Sequence, residues 1–355
     1  MGKKILVMNL GHSSTKLAVY DDLQEIIKLS IPHSLAEFRD FEDIWGQEDY
    51  RKDQINAVLK EHDFDLSNFD IIVCRGGAMK PIEGGIYVIC PEMIEDMRSG
   101  RMGSPPSNVG CLIAYKWGLE YGIPAITADP PVVDELCALA RYSGMAEIPR
   151  KGSWHALNQK RTARMVATQL HKRYEDLNLI VAHLGSGMSV AAHEKGRAID
   201  VNNALDGDGP FGIERSGSVP TGDLVRLCYS GKYSEREMMA NVKGNGGLVS
   251  YLHSNSGLEV EKRIDHGDTL AEEVYHAMAY QVAKEIGACA AVLNGQVDAI
   301  IITDSIAYSE RFVGWIKERV AFISDIYVVP GENEILSLAE YGLRFLNGEE
   351  QPKPY

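Results

Sequence analysis

The chain has little of what marks secreted, membrane or nucleic-acid-binding proteins. It holds six cysteines in 355 residues. Cys74, Cys90, Cys111, Cys137, Cys228 and Cys289 are widely spaced, with no C-x-x-C pair. That spacing excludes a disulfide framework and a zinc ribbon, and it reads as reduced thiols of a cytoplasmic protein. No apolar run approaches the roughly 18 residues of a membrane span. The start, Lys3-Lys4 followed by a short apolar run, lacks the apolar core of a signal peptide. Positive charge is scarce: 36 Lys and Arg face 50 Asp and Glu, a net charge of −14. Such a surface repels a phosphate backbone, so no nucleic-acid partner and no membrane partner is expected. A nucleotide, which needs only a local cluster of donors, stays open.

What is present is ordinary globular material, 45% hydrophobic and 24% charged, with length for about two domains. The most informative stretch is Leu179–His193, LIVAHLGSGMSVAAH. An apolar run ends at a glycine-bearing turn and a second run follows, which reads as two strands and a tight turn. Exposed N–H groups in such a turn suit a phosphate. Shifted back by 174 residues, the stretch lies over Ile5–Val19, ILVMNLGHSSTKLAV, with Leu184 on Leu10, Gly185 on Gly11, Ala192 on Ala18 and His183 on Asn9. Two related halves are expected, each opening with a strand, a phosphate loop and a return strand. The first loop offers Gly11, Ser13, Ser14 and Lys16; the second offers Gly185, Ser186 and Gly187.

Further along, mixed spacing over Leu35–Lys60 predicts a surface helix. Phe69–Cys74 is a buried strand leading into Arg75-Gly-Gly77, and Glu83–Tyr87 and Ser104–Ser107 read as loops. Residues 124–129 form another strand, ending on Asp129, which can act in a site or cap a turn. A domain boundary is expected near Ile148–Gly152, dividing 1–150 from 151–332, with the final helix, 333–355, completing the first domain. An amphipathic helix follows from Trp154 to about Tyr174, then the central hairpin and a third strand, Arg197–Val201. Residues 202–223 are glycine-rich and irregular, which in a compact domain points to function. Helices over 224–229, 234–242, 271–293 and 311–322 alternate with strands at 297–303 and 326–329. Strands alternating with helices in two halves mean an α/β fold. His183 and His193 show no third ligand for a metal.

The residues Ile199–Phe211 (IDVNNALDGDGPF), Glu214-Arg-Ser-Gly217, Gly222-Asp223, Cys74–Gly77, His155–Lys160 (HALNQK) and Gly244–Leu248 form a specific set. On these the chain resembles the butyrate kinases, in the acetate-kinase branch of the sugar kinase–actin superfamily, from about Ile5 to Gly348. The resemblance implies two duplicated ribonuclease-H-like domains with a cleft between them. It implies ATP/ADP with Mg2+ and reversible phosphoryl transfer to a short-chain carboxylate, giving an acyl phosphate. It also implies a homo-oligomer, at least a dimer. Carried over by motif, Arg75, Asp129, His155, His183 and Arg215 fall on active-site positions. Asn9 and Glu334, the latter preferred to Glu332, would hold magnesium, and Asp129 would lie near the attacking carboxylate or the metal. The chemistry asks for such donors, because phosphoryl transfer is mostly positioning and charge stabilisation. An ionised carboxylate needs no strong base.

The nucleotide loops depart from the family. His12 stands for a serine, and Gly185-Ser186-Gly187 for three glycines. Asp304-Ser305, in the adenosine loop, stands for two glycines, and Ser104–Ser107 replaces an acyl-side motif. Asp304 would set a negative charge beside a polyanion and weaken ATP binding. Three readings therefore stay open: a butyrate kinase, an acetate, propionate or branched-chain carboxylate kinase, and a kinase-like binding protein with impaired nucleotide binding.

Overall fold

The computed structural model describes residues 2–34, 36–39 and 41–355. The chain falls into two units, Met1–Val133 with Asn333–Tyr355, and Asp134–Glu332.

In the first unit, strands β1 (Lys4–Leu10), β2 (Ser14–Asp21), β3 (Gln24–Pro32), β4 (Ile71–Cys74), β5 (Ile86–Val88) and β6 (Ala125–Ala128) form one sheet of order β3-β2-β1-β4-β6-β5. The first three make an antiparallel meander, β1, β4 and β6 run parallel, and β5 returns antiparallel to β6. Apolar runs at β1 and β4 are buried throughout, as central strands covered on both faces require. One face packs on helices Ser107–Tyr121 and Glu48–Glu61. The other receives the C-terminal helix Glu334–Leu346. Gly342 lets that helix lie close to the sheet. A Cβ there would stand 2.8 Å from Val73 Cγ2 and 3.1 Å from Ile5 Cγ2.

In the second unit, β7 (Asn178–Leu184), β8 (Met188–Glu194), β9 (Arg197–Val201), β10 (Ala299–Asp304) and β11 (Ile326–Pro330) are ordered β11-β10-β7-β8-β9. This is the same meander followed by two parallel strands. Helices Thr269–Val292 and Glu310–Val320 cover one face and Ala156–Gln169 the other.

The repeat is therefore present in the topology, with one correction. Leu10 pairs with Thr15 across the first turn, whereas Leu184 pairs with Met188 across the second. The second turn is one residue shorter, so the 174-residue shift holds only up to the turns. By register Ala18, opposite Val7, corresponds to Ala191, opposite Val181, and not to Ala192. A one-residue slip moves side chains to the other face of a strand.

Other expectations shift as well. The helix expected over Leu35–Lys60 occupies only Glu48–Glu61; Leu35 and Asp40 lie outside the described residues. Before it, Asp43 Oδ1 accepts from the N–H groups of Trp45 and Gly46, closing a local turn that competes with helix. Residues 86 and 87, read as loop, belong to β5. Strand β3 and helices Gly247–Leu252 and Gly257–Asp265 were not expected.

The division at Val133/Asp134 precedes the expected boundary near 148–152. Residues 134–152 are bound to the rest of the second unit by several contacts: Cys137 N donates to Ile199 O at 2.8 Å, Arg150 pairs with Asp200 at 2.9 Å, and Lys160 Nζ meets Glu135 Oε1 at 2.7 Å. The last pair is almost completely buried, and Glu135 Oε2 also accepts from Ala198 N at 2.8 Å. Removing one partner of such a pair strands a buried charge. Lys160→Met should lower unfolding free energy by about 3–5 kcal/mol, and Glu135→Gln added to it should recover much of the loss. Denaturant midpoints of the parent, single and double variants check this.

Candidate functional site

The carried-over residues fall into two sets, one on each unit. In the first unit, Asn9 lies near the end of β1, Arg75 follows β4, and Asp129 follows β6. All are at the C-terminal ends of parallel strands, where ligands of α/β sheets bind. The start of the C-terminal helix gathers two of them. Asn9 Nδ2 donates to Glu334 Oε2 at 2.8 Å, and Arg75 forms an ion pair with the other oxygen of the same carboxylate. Farther along the helix, the Tyr341 hydroxyl donates to Asp129 Oδ2, while Asp129 Oδ1 accepts from Gly85 N at 2.8 Å. Asp129 is buried in a left-handed backbone, φ 40°. A non-glycine residue held there is a constraint the surrounding structure must maintain.

The first turn, 11–14, is closed by Gly11 N donating to Ser14 O at 2.8 Å. Ser13 and Lys16 are exposed on it and Ser14 is half-buried. Asn9 Oδ1 and the Glu334 carboxylate would supply hard oxygen ligands. Magnesium keeps several waters and takes one or two protein oxygens besides phosphate, so this pair fits it. Among the described residues no cluster of three or more His, Cys, Asp or Glu is arranged for a metal.

In the second unit, the rings of His155 and His183 stack, with centroids 3.7 Å apart and planes at 9°. His155 Nδ1 meets Ser189 Oγ at 2.9 Å, and Gln159 Nε2 donates to the same hydroxyl at 2.8 Å. Asn158 Nδ2 lies 3.2 Å from His183 Nδ1. With the amide donating there, His183 carries its hydrogen on Nε2. His183 Nε2 faces Asp304 Oδ2 at 3.2 Å. His193 lies deeper, between the Tyr174 hydroxyl at 2.6 Å and Gln159 Oε1 at 2.9 Å. Burial, and next the Lys160 charge, push its pKa down to about 3. It is a neutral core histidine whose two ring nitrogens both have partners.

Arg215 lies within the irregular 202–223 segment and passes Gly187. A Cβ on that glycine would lie 3.7 Å from both Arg215 Cγ and Nε. Arg215 Nε is buried with no hydrogen-bond partner among the described residues. An orphaned guanidinium nitrogen beside a glycine turn is a fit for an anion, since Arg presents paired donors to phosphate or carboxylate. Ser186 is exposed at the tip of that turn.

The position of Asp304 is the main surprise. Its backbone has φ 77° and ψ −165°, a region that essentially only glycine occupies. The residue is 8% exposed, and its carboxylate is turned onto the second turn. A Cβ on Gly185 would meet Asp304 Oδ2 at 2.3 Å. The Asp304 carboxylate thus lies beside the Gly185–Gly187 turn, facing His183. Ser305, the next residue, is exposed. Sequence reasoning did not single out Asn158, Ser189 or Tyr341; the first two sit inside quoted stretches, and the third carried no signal. Nor did it find Arg51, which lies one helical turn before Ile55 and two before Leu59 on the buried face of its helix. An arginine at a core position of that spacing was the available signal.

The topology repeated in the two sheets is the ribonuclease-H-like one of the sugar kinase–actin superfamily. The acetate kinase of Porphyromonas gingivalis shares the fold, with a TM-score of 0.78 at 18% identity over 97% of this chain and all of that one. The model of the acetokinase family matches residues 139–322. Butyrate kinase 2 and butyrate kinase 1 of Clostridium acetobutylicum are each 48% identical over 352 residues, 99% of this chain and 99% of each relative. The chain belongs to the acetokinase family.

Strain at Asp304 can be measured apart from its contact with His183. Asp304→Gly and Asp304→Ala both lose the contact, and only alanine keeps a Cβ in the glycine-only region. The glycine variant should be the more stable by about 1 kcal/mol or more, read from urea midpoints of the two purified variants.

Proposed function

We propose that the protein transfers the γ-phosphoryl group of ATP to butyrate, reversibly, giving butyryl phosphate and ADP. The observation that carries this is the Arg215 guanidinium, with a buried unpartnered Nε beside the Gly185–Gly187 turn. Full-length identity to the two butyrate kinases supports butyrate over acetate, propionate or a branched acid. The reading carries with it a cytoplasmic protein that forms at least a dimer.

Each group has a task that its surroundings suit. Arg215 donates to the equatorial oxygens of the transferring phosphoryl, where negative charge is spread in the transition state. Arg75, already holding a carboxylate in Glu334, has the geometry to hold the substrate carboxylate. His183 gives its Nε2 hydrogen to a phosphoryl oxygen once that hydrogen leaves Asp304. His155 stacks on it and fixes the plane of its ring. Asp129, anchored by Gly85 and Tyr341, orients the loop after β6 near the acceptor. The turns at Gly11–Ser14, with Lys16, and at Gly185–Gly187 present backbone and hydroxyl donors to the phosphates, and Asp304-Ser305 borders the adenosine. Asn9 Oδ1 and Glu334 would hold magnesium, which when bound neutralises phosphate charge and aligns the oxygens.

A second reading keeps a specific observation in its favour. The Asp304 carboxylate stands over Gly185, where it opposes a phosphate, so a kinase-like protein with weak ATP binding is the alternative. Coupled ADP release with butyrate, beside calorimetric titration of ATP, separates the two. Turnover with ATP bound in the ordinary range supports the kinase; undetectable turnover with weak ATP binding supports the alternative. In an active parent, Arg215→Ala should lower kcat by about 10²-fold or more. A parent-like kcat would remove Arg215 from the reaction.

A further inference from the structure

Beneath the first glycine turn lies a cation that no assignment above uses. Arg51, on helix Glu48–Glu61, is 0% exposed. Its guanidinium donates from Nη2 to Gly11 O at 3.0 Å, from Nη1 to Thr15 Oγ1 at 3.0 Å and from Nε to Gln47 Oε1 at 3.0 Å. The ring of Phe38 lies 4.8 Å from its Cζ. Every one of these partners is neutral. No carboxylate among the described residues pairs with it. Burial lowers its pKa only to about 10, so it stays charged at neutral pH.

A buried charge is ordinarily paired, because leaving it alone in a medium of low dielectric is costly. Here no counter-charge stands beside it among the described residues, and the turn above it faces outward. The guanidinium also ties down Gly11 O, a carbonyl whose negative end would otherwise be free to oppose an anion. His12 and Ser13, the central residues of the turn, are exposed, and so is Lys16. His33, which shares Thr15 Oγ1 at 2.9 Å, is held toward its neutral form by burial and by Arg51. It therefore adds no competing charge. In a protein of net charge −14, attraction for a polyphosphate must come from fixed local cations, and a buried one is little screened by salt.

We infer that Arg51 is a positioning residue that supplies the fixed positive charge of the phosphate site at the Gly11–Ser14 turn, and that the anion it lacks within the fold is a phosphate of the nucleotide. This rests on the nucleotide reading of that turn. Arg51 acts through the turn, holding Gly11 O inward and polarising the donors above it.

The test uses the full chain, with inorganic tripolyphosphate and ATP as probes in calorimetry. Three variants separate charge from bracing. Arg51→Gln keeps an amide donor for Gly11 O and loses the charge. Arg51→Lys keeps the charge and loses the fork. Arg51→Met removes both charge and donors. The expected result is about a tenfold or greater loss of affinity for both probes in Gln and Met, with Lys within about threefold of the parent. The KM for the carboxylate should be unchanged in all three. Thermal midpoints are read beside them, and affinity should follow charge whatever order the midpoints take. Equal affinity in Arg51→Gln and the parent overturns the inference, as does a loss in Arg51→Lys as large as in Arg51→Gln. A variant that does not fold leaves the Gln and Lys pair to decide, and if either of these fails to fold, Arg51 is a stability residue and the inference falls. A parent that binds neither probe also overturns it. A parent that binds tripolyphosphate yet phosphorylates no carboxylate contradicts the kinase reading alone, and the variants still decide the role of Arg51.

Discussion

The first unit depends on the return of the chain end. Helix Glu334–Leu346 comes back over 200 residues to lie on β1 and β4, and its first residue divides one carboxylate between Arg75 and Asn9. Its middle gives a hydroxyl to Asp129. Three side chains from three strands are thereby fixed by one element. An ion pair between half-exposed groups would contribute little in isolation. Here it is backed by a helix whose Gly342 sits against the sheet, so the carboxylate is held by packing as well as by charge.

The second constraint is electrostatic. An acidic chain that handles phosphate must concentrate its few free cations; among the described residues Arg215 Nε has no hydrogen-bond partner and the Arg51 guanidinium is bonded only to neutral groups. Other arginines are paired with carboxylates, as at Arg141 with Asp134 and Arg263 with Asp268. Asp304 works against this concentration. It occupies a glycine conformation at the rim of the second turn and engages the Nε2 of His183. Whatever phosphate approaches that turn must contend with it, either by drawing the His183 hydrogen away or by displacing the carboxylate.

Much of the fold was legible because its strongest signals are local. The apolar runs of β1, β7 and β10 are buried on both faces and bounded by turn residues, so they stand out in the sequence. The repeat was visible for the same reason, although the shorter second turn put the return strands one residue out of step. Strand β3 was missed because it is an edge strand, half exposed and carrying Glu25 and Lys28. Of the site, the residue types were legible from motifs, and their partners were not. Which way the Asp304 carboxylate turns follows from a backbone conformation that the residue type alone does not suggest. Arg51 was hidden by the habit of reading charge as surface, although its spacing with Ile55 and Leu59 placed it on the buried face.

The account makes the carboxylate oxygen the acceptor of the phosphoryl group, and trapping the product tests that most directly. Hydroxylamine converts an acyl phosphate to a hydroxamate, so the chain is supplied with ATP, magnesium, butyrate and hydroxylamine, and ADP and butyryl hydroxamate are measured together. The account predicts that the two appear in equal amounts, and that omitting butyrate abolishes both. ADP formed without hydroxamate, or at the same rate without butyrate, would contradict it.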